Sequence, residues 1–99
     1  MPRTTQIRTY TIRQGLLEEW ARQWRDLVVP LRLTMGFEIE GAWLDHQHSQ
    51  FIWIISYAGE ESFEEANARY WATPERKALG LDPSQYLIDQ ETREVQSFH

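Results

Sequence analysis

The stretch FEIEGAWLDHQHSQFIWIISY, residues 37–57, decides the fold. Its two halves, Phe37–Leu44 and Gln50–Tyr57, have strand character and flank a short polar run, so they read as a β-hairpin. The second half departs from simple alternation. Phe51, Trp53, Ile55 and Tyr57 share one side of the strand, and Ile52 and Ile54 share the other. A sheet with one solvated face alternates cleanly between apolar and polar residues. A strand that is apolar on both sides therefore belongs in a sheet covered on both faces. If one face stayed open, it would exceed the few hundred Å² of contiguous apolar surface that monomers tolerate. Helices of the chain can supply one cover, and a second copy is expected to supply the other. The competing expectation is an open aromatic face used for ligand stacking.

Working outward, Thr5–Ile12 (TQIRTYTI) alternates and is rich in β-branched residues, a strand pattern. After Gly15 the period changes to helical, with Leu16, Trp20, Trp24, Leu27, Val28 and Leu31 on one face. Glu18 and Glu19 in the first turn and Arg32 in the last suit the helix dipole, Gly36 is a plausible cap, and Pro30 should kink the last turn. Ser62-Phe63-Glu64-Glu65 forms a capping box for a second helix, whose inward stripe is Phe63, Ala66, Asn67, Tyr70 and Trp71. Thr73-Pro74 starts a further short helix that ends at Gly80. Tyr86–Phe98 is the last, more polar strand. The order β-α-β-β-α-β predicts an α+β, ferredoxin-like fold, with two helices on one face of a four-stranded antiparallel sheet. The first and third strands should be central, and Glu38 and Glu40 suit the second as an edge. A three-residue loop His46–His48 would set Gly41 opposite Trp53 and Trp43 opposite Phe51; a two- or four-residue loop would change the pairing.

The totals narrow the function. Residues 1–99 are expected to form one domain. A net charge of −5 argues against a nucleic-acid partner. The absence of cysteine rules out thiolate chemistry and fits a reducing compartment. With no apolar leader at the start and no long apolar run, a cytoplasmic protein without a membrane partner is expected.

Three groups of side chains are candidates for chemistry. His46 and His48 point the same way if the strand extends through them, and Asp45 is adjacent. The ordinary reading is a solvated turn; the sharper ones are an acid/base role at a pocket rim or a metal site. Too few ligands surround the pair to expect a metal. Arg8 and Tyr10 share one face of a central strand, and a buried arginine needs a partner. A carboxylate within the fold or the dimer, from Glu38, Glu40 or Glu65, is the ordinary expectation, and an anionic ligand is the other. Arg32, Trp43, Tyr70 and Trp71 are ligand-binding candidates by position, although an aromatic stripe is more often core.

Three segments, RTYTIRQGLLEEWARQW, VPLRLTMGFEIEGAW and SFEEANARYWATPERKAL, resemble the NIPSNAP family in order and spacing, over roughly Gln6 to Leu79. The most specific pieces are the RTY strand before a helix started at glycine, Pro-Leu followed by Gly-Phe, and Gly-x-Trp near the hairpin. This chain carries Gln6 where the family often has an acidic residue two before the strand arginine, and its DHQHS loop is short. The resemblance implies a dimeric α/β barrel, in which two ferredoxin-like subunits pack sheet to sheet. It also implies a site between helices and sheet, in a superfamily that includes cofactor-independent monooxygenases and isomerases. The expectation is a homodimer with such a pocket and no cofactor. The pocket would bind or convert a small aromatic or apolar molecule, with Arg8 holding an oxyanion, Tyr10 donating a hydrogen bond and a histidine, His46 or His48, as base. The alternative is a non-catalytic dimeric module for protein or ligand binding.

Overall fold

A computed structural model describes residues 3–96 and 98. Strands β1 (Thr4–Ile12), β2 (Phe37–Asp45), β3 (Gln50–Tyr57) and β4 (Leu87–Val95) form one antiparallel sheet in the order β2-β3-β1-β4. The central places of β1 and β3, and the edge place of β2, are those the sequence predicts. The last strand is shorter than the expected Tyr86–Phe98, part of which lies outside the described residues.

On β3 the two sides differ as the pattern requires. Phe51, Trp53, Ile55 and Tyr57 are buried beneath the helices, while Ile52 and Ile54 on the opposite face are half-buried. Ile7, paired with Ile54, extends that outer apolar surface. Trp24 packs edge-on to Trp53 at 5.4 Å and to Phe51 at 4.9 Å, and Tyr10 sits edge-on to Trp20 at 5.9 Å. Such edge-to-face pairs suit the quadrupoles of the rings.

Helix α1 (Leu17–Gln23) runs through a single wide turn, Trp24–Val28, into α2 (Val29–Thr34). In that turn the Val29 N–H donates to the Trp24 carbonyl five residues back, one residue before Pro30, which has no N–H to give. The wide turn has a consequence for side chains. Residues four apart drift by about 40° per step around a regular helix of 3.6 residues per turn. A wider turn absorbs that drift, so Trp20, Trp24, Val28 and Arg32 all stay on the buried face. The expected kink at Pro30 is therefore a widened turn, and Arg32 points into the core instead of serving the helix dipole at the surface. Helix α3 (Phe63–Ala72) starts at Ser62, whose hydroxyl accepts the Glu65 N–H at 3.1 Å. Helix α4 (Pro74–Ala78) is capped by Thr73, which accepts the Arg76 N–H.

The hairpin differs from the three-residue case. Asp45 pairs with Gln50, which leaves a four-residue loop, His46–Ser49, with Ser49 at φ 52°. That loop sets Trp43 opposite Ile52 and Gly41 opposite Ile54, and a bulge between Gly41 and Ile39 then shifts the register so that Ile39 faces Ile55. Trp43 itself, not Trp53, covers the glycine: a Cβ at Gly41 would stand 2.5 Å from the Trp43 ring. No helix among the described residues is long and apolar enough to cross a membrane.

Candidate functional site

Between the helices and the inner face of the sheet lies a cavity of about 330 Å³. Its aromatic wall comes from three elements: Tyr10 on β1, Trp20 and Trp24 from the first helix and its wide turn, and Trp53 on β3. Tyr70 and Trp71 close it from α3, and Trp71, 42% exposed, stands at an opening.

Three guanidinium groups enter this cavity: Arg8 from β1, Arg32 from α2 and Arg76 from α4. The sequence predicted two of these, and the expectation of a carboxylate partner within the fold is corrected for Arg8. Its Nε and Nη2 donate to the Gln6 side-chain oxygen at 3.2 and 3.1 Å, and Nη1 makes a long contact of 3.4 Å with the Tyr10 hydroxyl. Glu38 and Glu40 face Arg3 instead, and Glu65 is bound in its capping box. Arg8 also lies 5.4 Å from the Trp53 ring centre.

Arg32 is the most constrained of the three. It is 1% exposed and stacks between two rings, 3.7 Å from Tyr70 and 4.6 Å from Phe37. Stacking stabilises a cation without satisfying its N–H groups, and its Nε and Nη1 have no hydrogen-bond partner among the described residues. Burial first, and then the like charge of Arg8, push this guanidinium down to about 10. Arg76 donates through Nη1 to the Leu81 carbonyl at 3.0 Å, but its buried Nε is unpaired. It also covers Trp71 at 4.2 Å. Burial raises the Tyr70 hydroxyl, and the positive charges of Arg32 and Arg76 partly oppose this. That hydroxyl has no partner of hydrogen-bond geometry, although Arg76 is near.

The remaining candidates lie elsewhere. His46 and His48 line a separate shallow groove with Gln14, Glu18 and Arg22 at the hairpin end of the sheet, so the rim role beside Arg8 and Tyr10 does not fit this geometry. His48 Nδ1 lies 2.8 Å from the Asp45 carboxylate, which also accepts the His48 backbone N–H. This is a capped, exposed turn, and no cluster of three metal-ligating side chains occurs among the described residues. Trp43, 52% exposed, stands on the outer sheet face, away from the cavity. Arg76 was not predicted. Its signal was its place one turn after the Thr73-Pro74 restart, close to Tyr70 and Trp71 in sequence.

The fold and the cavity define a ferredoxin-like α+β protein with an aromatic, arginine-lined hollow under its helices. The NIPSNAP family model matches residues 5–97, and the chain belongs to that family. A NIPSNAP family protein from Agrobacterium tumefaciens superposes with TM-score 0.81 at 18% identity, over 98% of this chain and 94% of that one. An uncharacterized NIPSNAP domain protein from Burkholderia xenovorans gives 0.75 at 20% identity, over 96% and 94%. A putative antibiotic biosynthesis monooxygenase from Nitrosomonas europaea gives 0.71 at 8% identity, over 98% and 91%, a likeness of fold alone. A search of curated proteins finds no significant match.

Proposed function

We propose that this chain binds a small aromatic molecule in the cavity between helices and sheet. The observation that carries the reading is the cavity itself: about 330 Å³ of space walled by aromatic rings, with convergent polar groups from Arg8, Tyr10, Arg32 and Tyr70. Ligand sites are mostly apolar hollows with a few placed polar groups of this kind. Binding is favoured over conversion by the lining. Proton transfer near neutral pH needs a group that titrates there, and among the described residues the cavity offers tyrosines and arginines but no aspartate, glutamate or histidine. The monooxygenase neighbour supports the conversion reading by fold analogy only. The test is a thermal-shift screen of small aromatic compounds against the wild type, Arg8→Ala and Tyr10→Phe. Compounds that stabilise the wild type and lose their effect in the variants support the site. Compounds that stabilise all three equally remove Arg8 and Tyr10 from it.

The same reading includes a homodimer through the outer sheet face, supported by the half-buried Ile7, Ile52 and Ile54 and the exposed Trp43. It also includes a reducing compartment, the cytoplasm, which the absence of cysteine suits.

A further inference from the structure

Three of the chain's ten basic residues line the cavity, and none of its fifteen acidic residues does. In a protein of net charge −5, this is a local reversal of sign. Buried charges are normally paired, because desolvation otherwise disfavours them. Here, among the described residues, the inner cation Arg32 stacks between ring faces with Nε and Nη1 unpartnered, and Arg8 leans on the neutral amide oxygen of Gln6.

The buried, unpartnered polar atoms of the lining residues share a character. Arg32 Nε and Nη1, Arg76 Nε and the indole N–H groups of Trp20, Trp24 and Trp53 can only donate. The Tyr70 hydroxyl can donate or accept, and the Asn67 side-chain oxygen alone is a pure acceptor. A lining with three arginines and no carboxylate among the described residues is complementary to a group that only accepts and carries negative charge. Planar guanidinium groups match carboxylate geometry, and the aromatic walls match an apolar body attached to it.

Resting on the small-molecule reading above, we propose that the ligand is an aromatic carboxylic acid. Its carboxylate sits at the Arg8–Arg32–Arg76 cluster, and its ring lies against the tryptophans and Tyr10. Arg32, 1% exposed, adds its positive charge from the inner end of the cluster, behind the half-buried Arg8. Gln6 sets the free charge of Arg8: a carboxylate at this position would pair with that guanidinium internally and remove it from the ligand.

The experiment is isothermal titration of the intact protein with 2-naphthoate, its neutral analogue 2-naphthamide, and inorganic phosphate. Wild type, Gln6→Glu and Arg32→Met are compared, with circular dichroism to confirm that each variant is folded. We expect 2-naphthoate to bind one per chain, at least about tenfold tighter than the amide, since a charged hydrogen bond is worth about one factor of ten or more. Gln6→Glu should weaken the acid about tenfold and leave the amide unchanged, and Arg32→Met should weaken the acid further. Equal binding of acid and amide would overturn the anion assignment while leaving aromatic binding intact. Phosphate binding as tightly as the acid would overturn the aromatic-acid class. Binding of none of the three would remove this inference and the reading beneath it, and undiminished acid binding by Gln6→Glu would remove Arg8 from the anchor.

Discussion

Replacing Arg32 by methionine should make the ligand-free protein more stable. A guanidinium pushed down to about 10 by burial is a less favourable cation by about 3 kcal/mol than one in water. It stays protonated at neutral pH regardless, so the folded chain carries that cost under ordinary conditions. The faces of Tyr70 and Phe37, 3.7 and 4.6 Å away, return about 0.5–1 kcal/mol each. Methionine keeps an unbranched apolar stem of comparable reach, and swaps of similar volume in a core usually cost less than about 1.5 kcal/mol. The balance favours the variant by about 1 kcal/mol, which for a domain of this size corresponds to a rise in Tm of about 4–8 °C. Thermal unfolding followed by circular dichroism at pH 7, without ligand, measures it directly. The same variant should gain less stability from 2-naphthoate than the wild type does. A fall in Tm of the size seen for truncating a large buried side chain would refute the reasoning, because it would mean that the cation is satisfied within the fold and costs nothing to keep.

Light scattering should give a species of twice 11.8 kDa for the wild type. Ile54→Asp on the outer sheet face should give a folded monomer, and a wild-type monomer at high micromolar concentration would contradict the dimer. Trp53, 2% exposed on the inner face, tests folding instead: Trp53→Ala should destabilise by about 3–5 kcal/mol, read as a lower denaturant midpoint. The Asp45 carboxyl is held below the ordinary carboxylate range by hydrogen bonds from the His48 side chain and backbone. A depressed folded value means that this contribution is present above the unfolded value near 4 and is lost as pH falls through the folded one. Carboxyl titration by NMR should show Asp45 low in the wild type and closer to ordinary in His48→Ala; an unchanged value would dissolve the pair.

The element order, the central place of β1 and β3, the start of α3 at Ser62 and the two-sided apolar character of β3 were all legible in the sequence. Each is encoded locally, by a period of two or of four, a capping hydroxyl or a proline. Arg8, Tyr10, Arg32 and Tyr70 were legible as candidates because a charged or aromatic residue on an inward face is conspicuous against its neighbours. Their convergence was not. Arg32 reaches the cavity only because the turn at Trp24–Val28 widens ahead of Pro30, and Arg76 only because α4 folds back over Tyr70 and Trp71. Trp43 was drawn out of the site by a four-residue loop, since each residue of slip sends a strand side chain to the opposite face. Whether Arg8 met a carboxylate depended on which side chains the fold carried within about 3 Å of it, and Glu38 and Glu40 were taken by Arg3. Periodicity fixes the face of a residue within its own element. The company it keeps is a sum of registers, turns and crossing directions from several elements, and only the tertiary structure adds them.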